Sequence, residues 1–373
     1  MKSGLSAKAN RYMEQHIIDA VRALRSELHG LAERSGEEIR TKAYLMKFLR
    51  ENTSLRLEDE GQWFCAVHEE PGAKETVAFR GEMDALPLKG GASHLCGHDG
   101  HSAALAGLGL LLENRRLGRN IVLIFQHGEE DGTGGKICAH TLEKYRVGRI
   151  YAFHNIPGWP EGAALLRRGT FACASRGMVL SFSGTPCHAA YPEHGRNPGF
   201  AAARLISALP GLTERANRNG LAMATLIGAE IGAKAFGTSA GSAEVRLTLR
   251  AWLDGDLDAL ISSVTETARA EASRDGVEVS FAFCDMFPAT VNDAAALERL
   301  RKICNGAGLG CIEVPEPFRW SEDFGHYGAY AKAVMAGIGA GAAWPQLHTE
   351  NYTFNDDILP SALTLFSALA EFG

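Results

Sequence analysis

The chain has 373 residues, of which 46% are hydrophobic and 22% charged, and a formal net charge of -6. That length exceeds what one hydrophobic core usually serves, so two domains are expected, and the ordinary composition excludes a disordered or fibrous chain. No block of Lys and Arg marks a surface for nucleic acid or for an anionic membrane, which leaves a small molecule as the expected partner.

The residues from Met1 to His16 are polar and mixed in charge and lack the apolar core of a secretory signal, so a cytoplasmic protein is expected. No apolar run reaches the roughly 18 residues of a membrane span. Eight cysteines scattered over so long a chain predict reduced thiols rather than a disulfide framework. Cys65, Cys138, Cys173, Cys284, Cys304 and Cys311 read as small buried core residues.

A helix is predicted from Tyr12 to Leu31, where Ile17, Ile18, Val21, Leu24 and Leu28 recur at helical spacing, and a second from Glu37 to Asn52. Beyond Pro71-Gly72, short β-rich runs (Thr76 to Phe79, Ile121 to Phe125, Ile150 to Phe153) alternate with a helix from His101 to Leu112. This predicts an α/β layer with a mixed, largely parallel sheet flanked by helices. The middle of the chain changes order: strand Met178 to Phe182, helix Pro198 to Leu209, strands Leu221 to Ile227 and Ala243 to Trp252, helix Leu257 to Ala272 with Asp256 as N-cap, strand Val277 to Phe283. That βαββαβ order is a ferredoxin-like unit, expected as an inserted domain over residues 170–286. Residues 1–169 and 287–373 then make the first domain, completed by a helix near Ala294 to Cys304, a strand Val334 to Ile338 and a last helix from Ile358 to Phe372.

Three groups of chemically able residues follow predicted strands, where open α/β sheets present functional groups. Phe79 precedes Glu82-Met83-Asp84 and then His94-Leu95-Cys96-Gly97-His98-Asp99-Gly100-His101; Phe125 precedes Gln126-His127-Gly128-Glu129-Glu130; Phe153 precedes His154-Asn155. A glycine between Cys96 and His98 lets the backbone bend so that thiol and imidazole face one ion. Alone, that cluster does not distinguish a metal site from a buried thiol with surface histidines. Neighbouring carboxylates at the end of a buried strand need a metal or a proton to compensate them, and three such signals at successive strand ends favour a metal centre.

With these residues in view, the chain resembles the aminoacylase and carboxypeptidase G type of dinuclear metallopeptidase, and within it the N-acyl-amino-acid amidohydrolases that include the hippurate and indole-acetyl-amino-acid hydrolases. The likeness spans nearly the whole chain and rests on Met83 to Pro87, Cys96 to His101, Phe125 to Glu130, His154, Gly184 to Ala190, Asn197-Pro198, Glu322-Asp323-Phe324 and Leu347-His348. It implies that Cys96, His98, Glu130, His154 and His348 bind two divalent ions, zinc or manganese first and cobalt or nickel next. It implies that Glu129 is the general base, that Asp84 orients a ligand, and that His188 in the inserted lid polarises the scissile carbonyl. The implied reaction is hydrolysis of a small amide by a metal-activated water, and the implied assembly is a homodimer formed through the lid domain.

The chain departs from this group where an Asn-Val-Ile-Pro segment is usual. Here Phe236 to Ala243 lacks both the Asn and the Pro, while Arg246 and Arg250 remain on one strand face as candidates for a substrate carboxylate. A short loop from Pro87 to Cys96 bears on one wall of the pocket. Competing readings are a dipeptidase or biosynthetic N-deacetylase of the same family, a catalytically silent metal-binding or interaction protein, and a single-zinc structural protein.

Overall fold

Seven consecutive residues, Thr76–Glu82, are buried along one strand at the middle of an eight-stranded mixed sheet. The computed structural model describes residues 3–217 and 219–373; Met1 and Lys2, where the leader reading begins, lie outside them. One compact unit runs up to Phe171 and takes in Thr290–Glu316 and Asp323–Gly373, and a second comprises Ala172–Ala289 with Pro317–Glu322.

In the first unit the strands Asn120–Gln126, Thr76–Glu82, Arg149–Ile156 and Lys332–Gly339 run parallel side by side. Buried on both faces, they read as near-continuous apolar runs, as parallel strands do. Strands Arg56–Asp59 and Phe64–His68 extend one edge antiparallel, and Ala164–Leu166 joins the other antiparallel before pairing in parallel with Cys311–Glu313. These four short segments lie outside the strands expected from periodicity, because three to five residues carry too little pattern to register. Helix His98–Leu112 packs on Thr76–Glu82 and against Ser3–Leu31 and Leu359–Phe372, and Ala294–Gly306 packs on Lys332–Gly339. Val21, Leu24 and Leu28 of the first helix are buried, as their spacing demands.

The second unit has strand Ala174–Ser183, helix Gly199–Ala216, strands Ala222–Ile231 and Ser242–Ala251, helix Asp254–Asp275 and strand Glu278–Phe287. Its four strands are antiparallel in the ferredoxin-like spatial order, the fourth beside the first, then the third, then the second. Ala243, Val245, Leu247, Leu249 and Ala251 alternate inward along one strand and share a core with Leu205, Leu209, Leu260 and Val264 of the two helices. Asp256 is not the N-cap: the second helix starts at Asp254 after Leu253, placing Asp256 in the first turn, where an acid still suits the helix dipole.

All eight cysteines are free thiols. Cys65, Cys138, Cys173 and Cys304 are buried as expected, whereas Cys284 is exposed on the strand Glu278–Phe287 and Cys311 is half-buried. Both corrections have the same cause, an edge-strand position with one face open to solvent. No helix among the described residues is long and apolar enough to cross a membrane.

Candidate metal centre

Helix His98–Leu112 begins at His98, and the residue ahead of it, Gly97, adopts a left-handed φ of 94°. A Cβ at Gly97 would lie 2.7 Å from both Asn155 Oδ1 and the Tyr352 hydroxyl, so glycine is required for space as well as for φ. The bend brings Cys96 and His98, both buried, into one group with His154, their donor atoms all within 4.8 Å of one another. Cys96 Sγ lies 3.4 Å from His154 Nε2. His154 is inside a strand rather than after it, since Arg149–Ile156 continues pairing with Lys332–Gly339 in the register His154↔Gly337. Its Nδ1 donates to the Asn155 carbonyl at 2.8 Å, which turns the Nε2 lone pair toward the thiol.

Carboxylates close the other side. Glu129 Oε2 and Glu130 Oε1 stand 3.7 and 3.8 Å from His98 Nε2, and Glu130 Oε2 stands 3.8 Å from His348 Nε2. His348 takes a φ of 62°, an uncommon conformation for a residue with a side chain. Its N–H donates to the Leu95 carbonyl at 2.8 Å, tying its loop to the segment that carries Cys96. Cys96, Glu130 and His348 thereby form a second three-donor group, and Cys96 belongs to both.

Asp84 organises these ligands from behind. Its carboxylate faces His98 Nδ1 at 3.1 Å and accepts the Glu130 N–H at 2.9 Å and the Ser35 hydroxyl at 2.7 Å. Burial would raise its pKa, but His98, the Glu130 N–H and Ser35 together hold it below the ordinary carboxylate value. His98 Nε2 is left buried with no hydrogen bond, aimed at a thiol and two carboxylates. Burial first, and then the charge of Glu130, push the Cys96 thiol well above its usual pKa, so a thiolate forms there when a cation compensates it. A buried lone pair, a thiol and paired carboxylates make a donor set that fits divalent metal.

Another triad, Glu82, His98 and His101, has the same compactness but different chemistry. His101 Nδ1 faces Glu82 at 2.7 Å and its Nε2 faces Asn155 Oδ1 at 2.5 Å. Burial, followed by His154 and His98, depresses its pKa well below the ordinary value, leaving a neutral ring with both nitrogens in use. Asp323, prominent in the sequence without a role, accepts from Gln126, the Gly135 N–H and the buried Arg80, while its own N–H donates to Glu129 Oε1 at 3.3 Å.

Glu38 had no sequence signal. Burial, and then the charge of Asp84, raise its carboxyl from 4.5 to about 7. Stability from the neutral acid is therefore fully present below about 4.5 and is lost as pH rises through about 7. In metal-free protein, Glu38→Gln is expected to raise Tm by a few degrees at pH 8 and to leave it unchanged at pH 4, as measured by calorimetry. Equal shifts at both pH values would contradict this.

The remaining predicted residues lie in the second unit. His188 is exposed, with its Nδ1 accepting the Ala190 N–H at 3.1 Å. Arg246 pairs with Glu230 at 2.6 Å, and Arg250 donates to Ser321 Oγ and the Arg319 carbonyl. The segment between Pro87 and Cys96 is a small hairpin, Leu86–Leu88 against Gly91–Ser93.

Residues 78–371 match the profile of peptidase family M20/M25/M40. The chain belongs to this family. It is a hydrolase of the M20 type, and its curated relatives include a hydrolase of Staphylococcus epidermidis, 26% identical over 375 residues that cover 94% of this chain and 97% of the relative. Its fold is that of a dinuclear metal-binding M20 peptidase from Bacillus subtilis (TM-score 0.80, 22% identity, 95% and 98% of the two chains). The aminobenzoyl-glutamate utilization protein of Klebsiella pneumoniae shares the fold too (TM-score 0.73, 20% identity, 96% and 98% covered).

Proposed function

We propose that this M20 hydrolase cleaves the amide bond of an N-acyl amino acid or a related small amide, using two divalent ions held by Cys96, His98, Glu130, His154 and His348. The observation that carries the proposal is the sharing of Cys96 between two three-donor groups, with Glu129 beside them. When bound, the ions supply Lewis acidity toward a water and toward the amide carbonyl. Glu129 is the proton carrier: it takes the proton of the attacking water and returns it to the departing nitrogen. Its Oε1 is fixed by the Asp323 N–H and its Oε2 points to the His98 side of the donor groups, so it stays oriented through both transfers. Asp84 sets the His98 tautomer and ties down the Glu130 backbone. His188, whose Nδ1 accepts a backbone N–H, keeps its proton on Nε2, the tautomer needed to donate to a developing oxyanion.

The substrate class is supported by the resemblance set out above and by the name of the Klebsiella relative, since aminobenzoyl-glutamate is itself an N-acyl amino acid. Because Arg246 and Arg250 already have partners on their own unit, recognition of an α-carboxylate by either needs an exchange of those partners. The test is hydrolysis by metal-reconstituted protein of a panel of N-acyl amino acids, varied in acyl group and in amino acid, with dipeptides alongside. Turnover of at least one acylated series above the dipeptides is expected. Faster dipeptide cleavage would assign a dipeptidase, and a blank with two ions bound would remove the substrate class altogether.

A further inference from the structure

We propose that Glu38 is a positioning residue that fixes, through the Gly128 N–H, the loop aiming Glu129 and Glu130; the functional meaning of that loop rests on the reading above. The turn between the helices Ser3–Leu31 and Ile39–Asn52 is tied to the centre at two places. On one side the Glu33 carbonyl accepts the Ala85 N–H at 2.8 Å and Ser35 donates to Asp84 at 2.7 Å. On the other, Glu38 Oε1 accepts the Gly128 N–H at 2.7 Å across 90 residues of sequence. The Glu33 carboxylate braces the turn itself by accepting the N–H groups of Arg40 and Thr41, both at 2.9 Å.

Gly128 is where the loop changes direction. It has a φ of 56°, and a Cβ there would lie 2.8 Å from Thr133 Oγ1. The Gly128 carbonyl accepts the N–H groups of Thr133 and Gly134, and the Glu129 carbonyl accepts that of Gly132, so the loop closes on itself through its carbonyls. Its N–H groups are held from outside: that of Gly128 by Glu38, that of Glu130 by Asp84. The His127–Gly128 peptide plane is therefore held by Glu38 and the Glu129–Glu130 plane by Asp84, so the backbone carrying Glu129 is anchored before and after it by buried carboxyl groups that the same turn supports. Removing Glu38 frees the His127–Gly128 plane where the loop turns toward Glu129, and a carboxylate misplaced by about 1 Å can cost on the order of 100-fold in rate.

The test compares wild type with Glu38→Ala, Glu38→Leu and Glu38→Gln; Leu fills the space without accepting, and Gln keeps an acceptor. Hydrogen exchange of the peptide spanning residues 126–133 is read in metal-free protein, metal affinity by chelator competition, and kcat and KM on the best substrate found. Ala and Leu are expected to speed exchange of that peptide by about tenfold or more, and to weaken metal binding and lower kcat by roughly 10 to 100-fold with little change in KM. Gln is expected to stay within about threefold of wild type throughout. Unchanged exchange in the folded Leu variant, or a Gln variant as impaired as Leu, would overturn the proposal. If no substrate is found, exchange and metal affinity still decide the role of Glu38, separately from the reading of the reaction.

Discussion

Glu129→Gln is expected to bind metal like wild type and to lose about 10²- to 10⁴-fold in kcat, equivalent to about 3–5 kcal/mol of transition-state stabilisation. The amide keeps the shape of the side chain and can still accept the Asp323 N–H, so the loop geometry survives. What it cannot do is take a proton from water and give it to an amine. KM should change little, because the defect lies in proton transfer rather than in substrate binding. The measurement pairs steady-state kinetics with metal analysis of the same preparation. Near-normal turnover with metal bound would reject Glu129 as the base. Loss of metal together with activity would instead make Glu129 a ligand, a role the compact group of His98, Glu129 and Glu130 makes worth separating.

Cys96→Ala is expected to weaken the binding of both ions, each by more than about 100-fold, because the sulfur is common to both three-donor groups. His154→Ala and His348→Ala each touch one group and should each release one ion first. Heat stability makes the prediction sharper. Without metal, a buried protonated thiol contributes little more than a methyl group, so wild type and Cys96→Ala should melt within a few degrees of each other. With saturating metal only wild type should gain the stabilisation that tight binding confers. A core thiol with no metal role would leave the two proteins equally stabilised by metal, so the small gap between them would not widen.

Much of this centre was legible from residue types and their order. The glycine between Cys96 and His98 carries a steric reason that the structure repeats, with Asn155 and Tyr352 filling the space a side chain would need. The strand expected at Ala243 to Trp252, with Arg246 and Arg250 on one face, is found at Ser242–Ala251 with its other face buried at every second position. Long-range polar partners were not legible. Arg80 pairs with Glu82 two residues on in its own strand, but it also donates to Gln126 and, 243 positions later, to Asp323, partners that no local period encodes. Ser35 and Glu38 lie in an unremarkable turn, and only the fold shows that they hold the segments carrying Asp84 and Gly128. The burial of Cys284 was misread because composition identifies a thiol as core-like without saying that its strand lies at a sheet edge.

The most direct test of the central claim is anomalous scattering from crystals grown with zinc. Two peaks per chain are expected, one at the donor group of Cys96, His98 and His154 and the other at that of Cys96, Glu130 and His348. A single peak, or a peak at Glu82 and His101 with none at Cys96, would contradict it.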